Sequence, residues 1–247
     1  MISLILCTYS PDRVQRTNDL IKMLRLDSGV EVEIILVTDN PETFDSYYGA
    51  DIVVKLPRRI GWNRAMNIGE KFAKHTLCWW IDDYVIPEVG WGPKAEKGFW
   101  ERFPDGQGIM EISGYETDCP KSISTRSFMY EINGGNWLWS EYLHCGNTET
   151  WHKVTALNKF QVYPEILWNR DKIFDACKTE TNKAYGFDIP LREERMAKGW
   201  PLTRTPDLRE RMLRWALETK DEKMMTLYKN IYNEWEKPNE TNIPIGA

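Results

Sequence analysis

The sequence predicts an α/β fold with a mostly parallel sheet, because short apolar strands alternate with amphipathic helices along residues 1–91. Runs rich in apolar and β-branched residues indicate strands at 2–6, 32–37, 52–54 and 77–81. Helical spacing of apolar residues, begun by a Ser10 cap with Pro11 at the first helical position, indicates one helix after the first strand, and 63–74 is expected to form a second. In such sheets ligands bind at the carboxyl ends of the strands. Three of these predicted ends are polar: Thr8-Tyr9, Thr38-Asp39-Asn40 and Asp82-Asp83.

The pattern changes after Pro87. Short strands separated by glycines and aromatic residues are expected at 109–113, 126–132 and 159–163. This half is expected to complete a cleft beside the sheet. Two amphipathic helices, at 206–218 and 221–235, are expected to follow as a C-terminal helical extension whose apolar stripes are packing surfaces.

Composition narrows the classes of function. A chain of 247 residues that is 42% hydrophobic can bury a sizeable core. Its formal net charge of −5 gives no general attraction to nucleic acid or to an anionic membrane. Residues 76–190 carry seventeen acids against eleven bases, so the surplus carboxylates lie where a cation site would need them.

The cysteines and the apolar runs indicate in which cellular compartment the protein is expected. Five cysteines, an odd number without CxxC spacing, indicate neither a disulfide framework nor a zinc knuckle. The sequence opens on a strand rather than on a leader peptide, and no apolar run approaches the roughly 20 residues that span a bilayer. We therefore expect a soluble cytoplasmic protein, in the host cytoplasm if the chain is viral.

Four segments of the first half occur in the order found in one enzyme family. They are SLILCTYS at 3–10, EIILVTDN at 33–40, GWNRAMNIG at 61–69 and IDDYVIP at 81–87. In order and spacing they resemble the nucleotide-binding half of family 2 glycosyltransferases. The resemblance implies the GT-A (nucleotide-diphospho-sugar transferase) fold, a Rossmann-like mixed sheet with flanking helices. It also implies a hexosyl- or pentosyltransferase that moves a sugar from a nucleotide-diphosphate sugar to a hydroxyl.

The same resemblance implies a division of the chain. Residues 1–202 would form the GT-A domain, with 1–91 as the donor-binding half and 92–202 as the acceptor and catalytic half. Residues 203–247 would form the helical extension.

The resemblance also implies donor contacts, and UDP is the expected nucleotide. Thr8 and Tyr9 are expected to flank the base, and the Asp39 carboxylate to accept its imide N–H. Arg64, near the start of a helix, is expected to meet the diphosphate together with the helix amides, and Asn67 lies on the same helix. Three alternatives remain open: Asp39 caps the following turn, Arg64 is a surface residue, and Asn67 bonds to a neighbouring loop.

Adjacent carboxylates at Asp82 and Asp83 repel each other unless a cation lies between them. They are expected to contact the donor and to hold a divalent metal, Mn²⁺ or Mg²⁺, that neutralises the leaving nucleotide. His144 is a candidate for a further ligand. In the family the last acid of an Asp-x-Asp triplet usually holds the metal, and here Tyr84 occupies that place. Asp83 could take over, the metal could be weakly held, or the enzyme could work without one.

A later segment, 185–200, resembles the family's region that holds the catalytic base. It aligns Asp188 with the carboxylate that removes the acceptor proton in an inverting transfer. Glu193 and Glu194 are alternative bases, and Asp188 could instead cap a helix. Trp137 and Trp139 follow a glycine pair and are candidates for stacking on the acceptor.

The acceptor and two other classes of function stay open. A glycan, a small hydroxylated molecule, or the hydroxymethyl group of a modified base in DNA, as in viral DNA glycosylation, would each suit as acceptor. A sugar nucleotidyltransferase shares the sheet but should carry a glycine-rich phosphate loop near the start, and 7–11 has no glycine. A non-catalytic nucleotide-binding module is compatible with Tyr84 in the acidic motif.

Overall fold

The structure is a computed structural model. It describes residues 1–83, 85–112, 121–138, 142–144, 146–163, 169–170, 176–203, 205–236 and 245–246, with the backbone alone at 169–170, 176–181, 233–236 and 245–246.

Ten strands and eight α-helices make up the described part of the chain. The strands are β1 (Ile2–Thr8), β2 (Val32–Thr38), β3 (Ile52–Lys55), β4 (Leu77–Asp82), β5 (Val85–Ile86), β6 (Ile109–Glu111), β7 (Ser122–Thr125), β8 (Phe160–Val162), β9 (Asn169–Arg170) and β10 (Ile245–Gly246). The helices are α1 (Val14–Leu26), α2 (Trp62–Glu70), α3 (Trp91–Arg102), α4 (Arg126–Ile132), α5 (Gly146–Ala156), α6 (Ala176–Ala197), α7 (Leu208–Thr219) and α8 (Glu222–Glu236).

One mixed sheet organises these elements. Its strand order is β10-β3-β2-β1-β4-β7-β6-β8, with β5 and β9 paired separately. Strands β1 to β4 run parallel, and β7 is antiparallel to β4. The register pairs Thr8 with Thr38 and Cys7 with Asp82. The three polar strand ends therefore meet at one edge of the sheet, as the sequence predicts.

Strands β1, β2 and β4 are apolar on both sides because both faces of the sheet are covered. Leu4, Leu6 and Trp79 belong to the core on one face, and Ile5 and Trp80 to the core on the other. This double burial explains why these strands read as continuous apolar runs rather than as an alternation.

Helix α2 approaches the sheet closely at Gly69. A β-carbon at this position would lie 2.6 Å from Val37 Cγ2 and 2.9 Å from Ile5 Cγ2, closer than real contacts allow. The bare glycine therefore sets the distance between α2 and the strands β1 and β2. This contact fixes the last turn of α2 against the sheet.

Two predictions of local structure were wrong in detail. The predicted strand at 126–132 is helix α4, preceded by the short strand β7. The Thr125 hydroxyl accepts a hydrogen bond from the Phe128 amide at 3.4 Å and caps this helix. Ser10 has no such capping bond, and Pro11 begins a short 3₁₀ turn rather than α1 itself.

The two C-terminal helices form as predicted, with α7 and α8 close to their expected bounds. Their stripes pack together with α6: Met212 and Trp215 from α7 and Met224 and Ile231 from α8 belong to one buried cluster. None of the helices in the described part of the chain combines the length and the apolar character that crossing a bilayer requires.

Candidate functional site

Three carboxylates surround the end of β1. Burial raises the pKa of the Cys7 thiol, and the charges of Asp39, Asp82 and Asp83 raise it further. Three neighbouring strand ends thus bring the predicted site acids together at the carboxyl edge of the sheet. This is the edge at which open α/β sheets bind their ligands.

Asp83 is buried and faces inward. Its Oδ2 accepts a hydrogen bond from the Thr8 hydroxyl at 2.8 Å, and its Oδ1 lies 2.6 Å from Arg13 Nη1. Burial raises the pKa of Asp83, and the Arg13 charge and the Thr8 bond oppose that rise. Thr8, expected beside the donor base, and Asp83, expected on the metal, are therefore bonded to each other.

Asp82 lies on the open side of the motif and pairs with a different cation. Its Oδ2 is 3.1 Å from the ammonium of Lys121, and its side chain is 17% exposed. Lys121 has no exposed surface, although it is a lysine. It precedes β7, the antiparallel neighbour of β4, and this pairing brings it to the end of β4.

The residues expected to hold a metal are not grouped as metal ligands. No group of three or more histidine, cysteine or acidic side chains within the described residues is arranged to hold a metal ion. Asp82, Asp83 and His144 are therefore not assembled as a ligand set, because the two carboxylates are turned to Lys121 and Arg13. Tyr84 lies outside the described residues. The side chains that the structure describes here do not fit a divalent ion.

His144 is buried near the same edge. Its pKa is lowered to about 3, mainly by burial and also by the charge of Arg59, while the charge of Asp82 opposes the shift. Its Nε2 atom is buried and meets no hydrogen-bonding group among the residues that the structure describes. His144 is thus a neutral imidazole close to Arg59 and Asp82.

Asp39 and Tyr9 define the other side of the site. Asp39 is buried, and its Oδ2 accepts a hydrogen bond from the Ile60 amide at 3.2 Å. The Arg59 guanidinium lies 3.4 Å from the centroid of the Tyr9 ring, a cation–π contact. Asp39 therefore orders the segment that presents Arg59 to Tyr9.

The turn after β2 is capped by Asn40 and not by Asp39. Asn40 Oδ1 accepts a hydrogen bond from the Glu42 amide at 3.0 Å, and Asn40 Nδ2 donates to the Tyr9 carbonyl at 2.8 Å. The alternative in which Asp39 only caps this turn is therefore not the observed arrangement.

Helix α2 carries the other two predicted donor residues. Arg64 is 6% exposed, so it is not a surface residue, and its Nη1 donates to the Tyr142 carbonyl at 3.5 Å. Asn67 Oδ1 accepts from the Leu138 amide at 2.6 Å, and its Nδ2 donates to the Leu138 carbonyl at 2.9 Å. Asn67 is thus bonded to a neighbouring loop, which was the alternative to a donor contact.

Asp188 lies inside α6 and does not cap that helix. It is fully buried, and its two oxygens accept hydrogen bonds from the amides of Leu143 and His144 at 2.9 and 2.8 Å. In this conformation Asp188 fixes the 142–144 loop and so positions His144. The alternative base Glu194 is paired with Arg211 and Lys198, and these two partners lower its pKa to about 2.

A buried ionic network beneath the 142–144 loop was not predicted. Glu149 Oε1 lies 2.7 Å from Lys153 Nζ, and Arg195 contacts both Glu149 oxygens at 2.8 and 2.9 Å. The Tyr142 hydroxyl donates to the same carboxylate at 2.7 Å. Three partners converge on one acid, and this network supports the loop from below.

Trp137 is part of the core and not a platform for an acceptor. It is 1% exposed and meets Trp80 edge-on, with ring centroids 5.2 Å apart. The predicted stacking role for Trp137 is therefore wrong, since its ring fills the core beneath the sheet. Trp139 lies outside the described residues.

A cleft of about 350 Å³ opens between the site and the C-terminal helix. Tyr9 and Arg59 form one wall, and α8 forms the other with Glu222, Lys223, Thr226, Leu227 and Asn230. The C-terminal extension therefore borders the site.

The chain resembles known proteins in its structure but not detectably in its sequence. No protein-family model and no curated protein sequence matches the chain. Residues 1–349 of S. aureus TarS, solved in complex with UDP-GlcNAc, align with 98% of this chain and 74% of that one at 12% identity and a TM-score of 0.50. The mannosyltransferase PcManGT from Pyrobaculum calidifontis, solved with GDP-Man and Mn²⁺, aligns with 96% of this chain and 72% of that one at 12% identity and a TM-score of 0.56.

Both neighbours are glycosyltransferases of one architecture. The chain has the GT-A fold. The fold class predicted from the sequence is thereby confirmed, and at 12% identity the likeness concerns the fold alone. The polar edge formed by β1, β2 and β4 is the candidate site of this GT-A domain.

Proposed function

We propose that the chain is an inverting glycosyltransferase that moves a sugar from a UDP-sugar to an acceptor hydroxyl. The proposal rests mainly on one observation. Four polar residues meet at one edge of the sheet: Thr8, Asp39, Asp82 and Asp83. UDP-GlcNAc and GDP-Man are present in two structures that share the fold, which supports a nucleotide-sugar donor.

Different residues of the site would contact the base and the diphosphate of the donor. The Asp39 carboxylate, which accepts a hydrogen bond from the Ile60 amide, would also accept the imide N–H of uracil. Tyr9 and Arg59 line the adjoining cleft, where the base and the first phosphate would lie. Arg59 and Arg64, together with the amides at the start of α2, supply positive charge for the diphosphate.

The transfer itself is a single displacement. The acceptor oxygen bonds to the anomeric carbon while the bond from that carbon to the diphosphate breaks, and the electron pair leaves with UDP. A carboxylate must take the hydroxyl proton. Asp188 remains our candidate for this base, and its use requires the 142–144 loop to release one of its oxygens when the acceptor binds.

The acceptor is proposed at the level of chemical class. A glycan or a small hydroxylated molecule suits the net charge of −5, which gives no general attraction to a polyanion. The hydroxymethyl group of a modified DNA base remains the alternative acceptor.

The exchange of Asp39 for asparagine tests the donor assignment. In Asp39→Asn the side-chain oxygen can still serve the Ile60 amide, but an NH₂ group then faces the base. We expect UDP to bind at least ~10-fold more weakly, because a hydrogen bond to a charged group is lost and two donors meet. CDP should bind more tightly than before, since cytosine presents an acceptor at that position. Isothermal titration calorimetry measures both affinities.

Asp45→Asn is the matched control, because Asp45 is 93% exposed and pairs only on the surface with Lys55. It should leave both affinities unchanged. If Asp39→Asn bound UDP and CDP as the wild type does, Asp39 would not read the base.

A further inference from the structure

The two acids at the end of β4 are both compensated by cations from the chain itself. Asp83 is matched by Arg13 at 2.6 Å, and Asp82 by Lys121 at 3.1 Å. The four groups come from three parts of the chain, around residues 13, 82–83 and 121, which the fold brings together at the carboxyl edge of the sheet. Each carboxylate of the motif therefore has a cation of the chain beside it.

Lys121 is the unusual member of this set. An ammonium without exposed surface has lost its hydration, and the cost is several kcal/mol unless a nearby anion offsets it. Asp82 is such an anion and borders the open site with 17% of its side chain exposed. The Lys121–Asp82 pair therefore brings a buried positive charge to the place where a donor diphosphate would lie.

The other candidate ligand does not restore a metal site. His144 is buried, and its Nε2 atom meets no hydrogen-bonding group among the residues that the structure describes, while the guanidinium of Arg59 lies nearby. A divalent ion would have to approach a guanidinium and displace both Arg13 and Lys121 from their carboxylates. Oxygen-rich sites for Mg²⁺ or Mn²⁺ have the opposite design, with unpaired carboxylates facing the ion.

We propose that Lys121 and Arg13 take the place of the divalent cation at this motif, so that the chain binds its nucleotide donor without a metal ion. This inference rests on the proposed function for the identity of the ligand. Lys121 acts as a positioning residue: it neutralises Asp82, which would otherwise repel the diphosphate. The diphosphate charge is then met by Arg59 and Arg64.

The proposal predicts that removal of Lys121 creates a metal site. In Lys121→Met the Asp82 carboxylate loses its partner and becomes able to hold a divalent ion, while Asp83 stays paired with Arg13. We expect this variant to bind UDP at least ~10-fold more weakly in EDTA than the wild type, and to recover affinity when Mn²⁺ is added. Wild-type affinity for UDP should be the same in EDTA and in Mn²⁺.

Binding of Mn²⁺ alone gives a readout that is independent of the donor. The electron paramagnetic resonance signal of free Mn²⁺ should fall on titration with Lys121→Met and should not fall with the wild type. Lys159→Met is the matched control. Lys159 also pairs with an aspartate, but that partner is Asp105 and not an acid of the motif, and the Lys159 side chain is 35% exposed. It should behave as the wild type does in both experiments.

Several outcomes separate this inference from the proposed function. If the wild type binds Mn²⁺, or needs it to bind UDP, the inference is overturned and the proposed function stands. If the wild type binds neither UDP nor UDP-sugars in any buffer, the proposed function fails. The Mn²⁺ titration still tests whether Lys121 and Arg13 keep a metal ion from the two carboxylates, because that experiment needs no nucleotide. If Lys121→Met does not fold, the Mn²⁺ and EDTA experiments on the wild type decide the matter.

Discussion

Replacement of Glu149 by glutamine is expected to destabilise the folded protein by about 3–5 kcal/mol, the usual cost of breaking a buried ion pair from one side. Glutamine keeps the shape of the side chain but removes the charge that Arg195 and Lys153 share. Two buried cations then face each other without an anion. Urea unfolding followed by tryptophan fluorescence measures the change.

The protonation state of Glu149 sets the pH range of this effect. Burial raises its pKa, but hydrogen bonding from Arg195 and the charge of Lys153 bring the pKa below its usual value. The acid therefore contributes its stability at neutral pH and loses it as the pH falls through the lowered pKa. Glu193→Gln, an exposed acid on α6, is the control and should unfold at the wild-type urea midpoint. An unchanged midpoint for Glu149→Gln would mean that the network adds nothing to stability.

Replacement of Asp188 by asparagine is expected to lower sugar transfer by at least ~100-fold while UDP still binds, the usual scale for loss of a general base. Asparagine cannot take the proton from the acceptor hydroxyl. Its single side-chain oxygen can also replace only one of the two carboxylate oxygens that accept hydrogen bonds from the Leu143 and His144 amides. Release of UDP from a UDP-sugar, with water as acceptor, measures the chemistry without a known acceptor.

Glu194→Gln is the control for Asp188→Asn, because Glu194 lies on the same helix and is already paired with Arg211 and Lys198. It should keep turnover. A loss of turnover in Glu194→Gln, with Asp188→Asn unaffected, would move the base to Glu194. A loss of UDP affinity in Asp188→Asn would instead identify Asp188 as a residue that shapes the donor site through its loop.

Much of the fold of residues 1–91 could be predicted because its signals are local. Strands β1, β2 and β4 are short apolar runs, and the polar residues after them mark the ligand edge of a parallel sheet. The helical stripes of α7 and α8 follow directly from spacing. The sequence predicts a strand at α4 because its aromatic and β-branched residues favour strands, whereas the structure has a helix capped by Thr125.

The partners within the site could not be predicted in this way. Nothing in the sequence around Lys121 marks it as the counterion of Asp82, since only the pairing of β7 with β4 brings the two together. Arg13 was within reach of prediction, because it follows the turn after β1. Asp188 was found by resemblance, but its bonds to the 142–144 loop depend on the packing of α6 and had no sequence signal.

Calorimetric titration of the wild-type protein with UDP-GlcNAc, GDP-Man and their free nucleotides, each in EDTA and in Mn²⁺, tests the central claim most directly. We predict saturable binding of a uridine nucleotide, with the same affinity in both buffers. Absence of binding by every nucleotide in both buffers would contradict the assignment of this edge of the sheet as a nucleotide-sugar site.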